Sequence, residues 1–478
     1  MAAFFLGLDI GTGGSRGLLV DEEGQVRHAF TAPHEDMRME RPLWAEQRPE
    51  NWWDAAQAAI QGVLRDSGLT GADVKAVGLS GQMHGLTLLD ANDRVIRPAL
   101  IWCDQRSQPQ VDWINKHLGV DFVVKSTANP MLTGFTLPKL LWVRDHEPEK
   151  FARVRKVLLP KDYIRFQLTG EYASDVSDAS GTGLFDVVNR RWAFDLADKV
   201  GVSRDVLPAV FESAEVTGKI HARAAAATGL KSGTPVVGGA GDQAASAVGN
   251  GIVKPGIVSC TIGTSGVVFG HLKEPAYDPQ GRVHTFCHAV RGAWHTMGVT
   301  QGAGLSLQWF RNQFAAGASY DDLTWEAAGA EAEGLYWLPY LMGERTPHLD
   351  PFARGGWIGI TAKHTRADLI RALIEGVSFS LKDCLDIVAT LGVEIESVRV
   401  SGGGAKSKFW RQLLADIFNK RVVTLETQEG SAYGAALLAM PQQPAIREVE
   451  SVEPQKDYTK KHAIYKSLYP ALKDFYRQ

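Results

Sequence analysis

The chain has 478 residues, 45% hydrophobic and 22% charged, and its 51 Lys and Arg against 54 Asp and Glu leave a net charge of −3. That balance excludes a general attraction to nucleic acid or to an anionic membrane surface, so any phosphate has to be held at a local site. The length accommodates roughly two to four domains with sizeable cores. There is no uninterrupted apolar run of about 18 residues to suggest a membrane span.

The N-terminus reaches Asp9 with no basic n-region or cleavage site before it, which argues against a signal peptide. Cys103, Cys260, Cys287 and Cys384 lie far apart and form no C-x-x-C pair, a usage that fits a reducing compartment. A cytoplasmic protein is expected.

In chain order, the apolar run Phe4–Leu8 meets Ile10-Gly11-Thr12-Gly13-Gly14 and leads into a second strand at Leu18–Val20. A helix is predicted over Pro49–Ser67, where Trp53, Ala56, Ile60, Val63 and Leu64 recur at helical spacing behind Pro49. Val74–Leu79 reads as a strand ending in Ser80-Gly81-Gln82-Met83-His84-Gly85. Trp102-Cys103-Asp104-Gln105-Arg106 follows another apolar run, and Val236–Asp242 is a strand that runs into a glycine-rich turn and a small-residue helix.

The opening motif then returns. Ile262-Gly263-Thr264-Ser265-Gly266 stands 252 positions after its first copy, within a hairpin over about 257–270. A long amphipathic helix is predicted from about Arg366 to Leu391. Val398–Ser401 is a strand stopped by Gly402-Gly403-Gly404, and a helix over Lys408–Asn419 follows. Ser431–Ala436 opens a helix whose small residues suit close packing. Beyond about residue 440 a Pro-rich tail ends in a helix over Ala463–Arg477. The repeated order predicts two mixed α/β domains, 1–245 and 246–478, meeting at a packed hinge with a cleft.

Two Gly/Thr turns can present backbone N–H groups to an anion without a Cβ in the way. Taken singly, either could be a plain hairpin; the repetition argues for a polyphosphate clasped from both sides. Thr12, Gly13, Gly263 and Thr264 are therefore candidate phosphate contacts, and Gly403 and Gly404 candidate contacts for a purine or its ribose. Asp9 precedes the first turn where Thr261 precedes the second, so one side offers a carboxylate to Mg²⁺, through water because that ion keeps much of its shell. Gln82, Met83 and His84 sit in a polar, glycine-flanked loop suited to substrate. Trp102 and Asp104 are candidate sugar contacts through an indole face and a carboxylate. Asp242 reads either as a helix N-cap or as an acid at the hinge, and the two are compatible. His284, His288 and His295 have no compact zinc spacing.

Taken together these pieces resemble the FGGY family of carbohydrate kinases. The likeness covers Leu8–Thr12, Ser80–Gly85, Gly134–Trp142, Leu159–Tyr163, Ser174–Ala179, Gly241–Gln243, Ile262–Gly266, Gly343–Pro347 and Ser401–Ala405, in family order. It implies two ribonuclease H-like domains of the actin and sugar-kinase type around a catalytic cleft that holds ATP, Mg²⁺ and a sugar. Carried over by position, Asp242 is the general base and also a substrate contact, Met83 and His84 touch the sugar, Thr12 with Gly263 and Thr264 holds phosphate, and Gly403-Gly404 faces adenosine. The Gln82–Gly85 loop implies D-xylulose as acceptor, phosphorylated on its terminal hydroxyl. Gly13-Gly14-Ser15-Arg16 and Met342 depart from the pattern of many members.

Two rivals stay open on sequence. One is a kinase of the same family acting on L-xylulose, ribulose or a pentitol; the other is an ATP-switched binding protein of the actin or chaperone type. Partners are expected to be a small sugar and ATP, with no nucleic acid and no membrane, and a homodimer is left open.

Overall fold

The computed structural model describes residues 3–427 and 429–477. Phe4–Ile10 (β1), Gly14–Asp21 (β2) and Val26–Pro33 (β3) form an antiparallel meander. The helix Pro49–Ser67 (α1) follows, with proline in its first turn and Gly68 closing it in the left-handed region at φ 69°. Val74–Gly81 (β4) then pairs parallel to β1. Val216–Lys219 (β5) and Pro235–Val237 (β6) complete the order β5-β6-β4-β1-β2-β3, and the short strand Ala240–Gly241 lies beside β4. The helix Asp242–Gly249 (α2) leaves from there.

The second sheet is built from Gly256–Ile262 (β7), Gly266–Leu272 (β8), His284–Cys287 (β9), Trp294–Thr300 (β10), Ile395–Gly402 (β11), Arg421–Leu425 (β12) and Glu448–Val452 (β13). Its order is β9-β10-β8-β7-β11-β12-β13. From β3 to β5 in the first sheet and from β10 to β13 in the second, the neighbours pair antiparallel, antiparallel, parallel, parallel, antiparallel. The duplication suggested by two short turns thus extends to the whole sheet. Register agrees as well: Asp9 lies opposite Ser80, and Thr261 opposite Ser401.

Each sheet is covered on both faces, as parallel pairing requires. One face of the first carries α1, through Trp52, Ala56, Ile60 and Val63 against Leu6, Leu8 and Val77. The other carries α2 together with Gly430–Leu438 (called α5 below), joined by a cluster of Ala244, Ala245, Val248, Ala432, Tyr433 and Ala436 with Phe5 and Val20. The second sheet packs on Gly304–Phe314 (α3 here, first of its helices), on the 25-residue helix Arg366–Thr390 and on Lys408–Phe418 (α4). Thr365 and Asp368 form a capping box at the start of that long helix, and Ser407 caps α4.

Two expectations are corrected. The region after residue 440 is no loose tail: β13 is an edge strand of the second sheet, and the last long helix runs over Thr459–Leu472, anchored where His462 Nε2 meets Asp383 Oδ1 at 2.8 Å. Asp242 is not an N-cap; Gly241 occupies that place and Asp242 is the first helical residue. No helix among the described residues is long and apolar enough to cross a membrane.

Although α5 belongs by sequence to the second half, it lies on the first sheet with backbone touching backbone. A Cβ on Gly7 would overlap the Ala432 carbonyl oxygen, one on Gly78 the Ala435 oxygen, and one on Gly434 the Ala245 oxygen. Gly434→Ala should therefore cost about 3 kcal/mol or more in urea unfolding, since two backbones have to part. Gly403→Ala meets open space at a helical φ and should stay within about 0.5 kcal/mol of the native chain.

Candidate active site

The chemistry-bearing residues collect where the parallel strands of the two sheets end. In the first half, Ile10, Gly81 and Gly241 are in register across three strands, so Gln82 and Asp242 emerge side by side just past that row and Asp9 lies one residue before it. Ser80 donates its hydroxyl to Asp9 Oδ1 at 2.5 Å. Burial raises the Asp9 carboxyl above its ordinary value, opposed by the hydroxyls of Ser80 and Ser431 and by the charge of Arg16. Asp242 is pushed up to about 7, chiefly by burial and then by the Asp9 carboxylate facing it. The two acids repel each other and offer hard oxygen donors, the donor type that suits Mg²⁺.

The first turn is closed by Gly11 N–H donating to Gly14 O at 3.0 Å, with Gly13 exposed and nothing within 4 Å of where its Cβ would be. Thr12 Oγ1 accepts from Trp102 Nε1 at 3.0 Å and donates to Gln82 Oε1 at 3.2 Å. Gln82 is 2% exposed, and its amide nitrogen donates to Gln47 Oε1 at 3.0 Å. Gln82 thus lies beneath the turn as its support. Trp102 is 48% exposed, with its indole nitrogen tied to the turn and its surface open.

Met83 and His84 follow Gln82, with Met83 against the backbone that leads into Asp242. The Met83 side chain occupies the space a Cβ on Gly241 would take. His84 sits in the left-handed region at φ 67°, and its carbonyl accepts from Lys139 Nζ at 3.0 Å and Thr136 Oγ1 at 3.2 Å. Its Nδ1 is 2.7 Å from the Gly181 carbonyl, so that nitrogen carries the hydrogen and Nε2 is left as the acceptor. Burial, with help from the Lys139 and Arg345 charges, lowers the ring to about 3, which keeps it neutral. Lys139, itself buried, is lowered to about 7 by desolvation.

Asp104 departs from expectation. It is fully buried, accepts from Ala45 N–H at 2.7 Å, and pairs with Arg106 Nη2 at 2.7 Å. The sugar contact expected of it is replaced by a structural ion pair, stacked under Trp44 through Arg106.

In the second half, Gly263 N–H donates to Ser265 O at 3.0 Å, and α3 begins against this turn where Gly304 N–H meets Gly263 O at 2.8 Å. Gly263, Thr264, Gly403 and Gly404 line one cavity of about 560 Å³ together with Tyr320 and Trp410. The sequence reading brought the four small residues together; it missed the cavity's aromatic walls, because neither aromatic stands near a glycine motif. Arg16 bridges the halves, its Nε 2.9 Å from Glu429 Oε2. Lys139, Gly181 and Gln47 were also missed, since their roles consist only of contacts distant in sequence.

The FGGY N-terminal model of the carbohydrate kinases matches residues 4–249 and the FGGY C-terminal model residues 258–442. The fold and site therefore define a carbohydrate kinase, and the chain belongs to the FGGY family. It is 43% identical to a xylulose kinase of Escherichia coli (strain K12) over 91% of this chain and 89% of that protein. To a xylulose kinase of Bacillus subtilis (strain 168) it is 38% identical, over 98% and 97% respectively. A crystal structure of a xyloylose kinase from Brucella ovis superposes with a TM-score of 0.93 at 38% identity, covering 99% of this chain and all of that one.

Asp104 and Asp242 should respond oppositely when neutralised. Asp104→Asn leaves Arg106 short of a buried partner and should cost about 3 kcal/mol in thermal or urea unfolding at pH 8. Asp242 binds its proton more tightly folded than unfolded, so its ionised form costs stability as pH rises from about 4 to about 7. Asp242→Asn should raise Tm at pH 8, with the gain fading toward pH 5.

Proposed function

We propose that this protein transfers the γ-phosphoryl group of ATP to the terminal hydroxyl of D-xylulose, giving D-xylulose 5-phosphate. The reading is supported by the likeness to proteins named xylulose kinase along nearly the whole chain. The observation that carries its mechanism is the raised carboxyl of Asp242, set beside Asp9 at the end of three strands and next to the Met83-His84 loop. Four free cysteines support a cytoplasmic setting.

In this reading the nucleotide base lies in the cavity between Gly403-Gly404 and Tyr320, and its phosphates reach the turns at Thr264 and Thr12. Asp9 would hold Mg²⁺, and when bound that ion would neutralise charge spreading over the phosphoryl oxygens. His84 Nε2 accepts a hydrogen bond from a sugar hydroxyl, and Met83 supplies an apolar wall that orients the chain of carbons. Asp242 orients the attacking hydroxyl and takes its proton. General-base help of this kind is worth roughly 10²–10⁴ in rate, and in-line positioning of alcohol and phosphorus contributes about 7–11 kcal/mol at most.

Because Asp242 must be ionised to act, kcat/KM for the sugar should rise with pH through about 7 and level off above it. A coupled ADP-release assay over D-xylulose, L-xylulose, ribulose and pentitols tests the acceptor; D-xylulose should give the highest kcat/KM, and a pentitol or ribulose ahead of it would reassign the substrate. Asp242→Ala should lose about 10³-fold or more in kcat while ATP affinity stays within a few fold; lost ATP affinity with retained turnover would remove Asp242 from the role of base.

A further inference from the structure

Behind Asp242 lies a buried charge cluster that the mechanism above does not use. Lys161 Nζ, fully buried, is 2.6 Å from Asp162 Oδ1, 2.9 Å from Asp175 Oδ1 and 3.6 Å from Asp178 Oδ2. One ammonium faces three carboxyl groups, none of which reaches solvent. Burial keeps Asp178 well above the carboxylate range, and neither of its oxygens has a hydrogen-bond partner. A cluster of this kind is costly, and replacing it with apolar residues is often neutral or stabilising, so stability alone is a weak reason for it.

One of its members leads to the site. Asp175 Oδ2 accepts from the Ser177 hydroxyl at 2.6 Å and from the Ser213 hydroxyl at 2.7 Å. The Ser177 oxygen in turn accepts the backbone N–H of Gly241 at 3.2 Å. Gly241 is the residue before Asp242 and the N-cap of α2. Its other side is closed by Met83, whose Cγ, Sδ and Cε lie about where a Cβ would be. The peptide that aims Asp242 is thus gripped between a sugar-loop residue and a hydroxyl polarised by a buried, lysine-bound carboxylate.

We propose that Lys161, Asp175 and Ser177 form a positioning chain that fixes the Gly241 amide and so aims the Asp242 carboxylate at the acceptor hydroxyl. The proposal rests on the reading of Asp242 as the base. Lys161 holds Asp175, Asp175 orients the Ser177 hydroxyl hydrogen, and the lone pairs of Ser177 then face Gly241 N–H. None of the three touches substrate. Their effect is on geometry, where a shift of about 1 Å can cost roughly 100-fold in rate.

Ser177→Ala and Ser213→Ala separate this role from a structural one, because each removes one hydroxyl from the same Asp175 oxygen and only Ser177 reaches Gly241. With D-xylulose and ATP as substrates, Ser177→Ala should lower kcat about 10- to 100-fold while both KM values stay within about twofold. Ser213→Ala should keep kcat within about twofold, at a similar loss of Tm. An unchanged kcat in Ser177→Ala, or an equal fall in Ser213→Ala, overturns the proposal. If the alanine variant does not fold, Ser177→Cys carries the same test: its weaker sulfur acceptor should lower kcat below that of Ser213→Ala, and a native kcat overturns the chain. Asp242→Ala in parallel tells the two readings apart. A native kcat there sinks the assignment of the base, whereas an inactive Asp242→Ala beside a native Ser177→Ala sinks the positioning chain alone.

Discussion

The backbone contact between the two halves governs the rest. Helix α5 is laid on the first sheet so closely that Gly7, Gly78 and Gly434 leave no room for a Cβ, and α2 meets it through Ala245. Such contact has no side chain to adjust, so it fixes how α5 lies on the first sheet, while the apolar residues around it supply the burial. The Arg16–Glu429 pair crosses the same junction beside Asp9, where a half-exposed ion pair adds little stability but can be broken at little cost. A second seam ties the loops of the first half to the second sheet, where Phe269, Phe286 and Met297 share a core with Met83, Leu86 and Phe135 and Cys287 N–H donates to Ser180 Oγ at 3.0 Å.

The two halves share topology and register but differ in electrical content. Where the first has Asp9 bonded by Ser80, the second has Thr261 and Ser401 with their hydroxyls 3.0 Å apart. The acidic side has the neighbouring acid Asp242 and the Met83-His84 loop. The neutral side has the 560 Å³ cavity with aromatic walls. A duplicated fold has therefore been divided into a half rich in buried charge and a half with a neutral, aromatic-walled cavity. Insertions follow the same division: residues 82–215 bring His84, Lys139 and the Lys161 cluster to the first half, and residues 301–394 bring α3 and Tyr320 to the second.

Much of this was legible in the sequence because it is local or repeated. The Gly/Thr turns, the Pro49–Ser67 helix and the long helix from Arg366 were read from short-range pattern, and the structure places them within a residue or so of the expected bounds. What escaped depends on partners far along the chain. Asp104 looks like any polar residue after a strand, and only the fold shows Arg106 and the Ala45 amide consuming it. Gln82 reads as a substrate group until Gln47, 35 residues away, is found beneath it. The strand Glu448–Val452 is short, polar and half exposed, so it carries no apolar alternation to announce an edge position.

The site is also where the chain tolerates electrostatic cost. Asp9, Asp242, Asp178 and Asp162 are all held above their ordinary range by burial, with Lys161 as the buried cation of Asp162 and Asp178 and Arg16 acting on Asp9. A protein selected for stability alone would have no reason to gather four such acids. The cost makes sense if the region is completed by something cationic on one side and by an acceptor for negative charge on the other, and a metal-bound nucleotide brings the first. On the proposed function, a cation brought beside Asp9 and Asp242 would relieve the repulsion that their burial creates. The burial of Asp9 and Asp242 would then bear on ligand affinity as well as on the proton transfer proposed for Asp242.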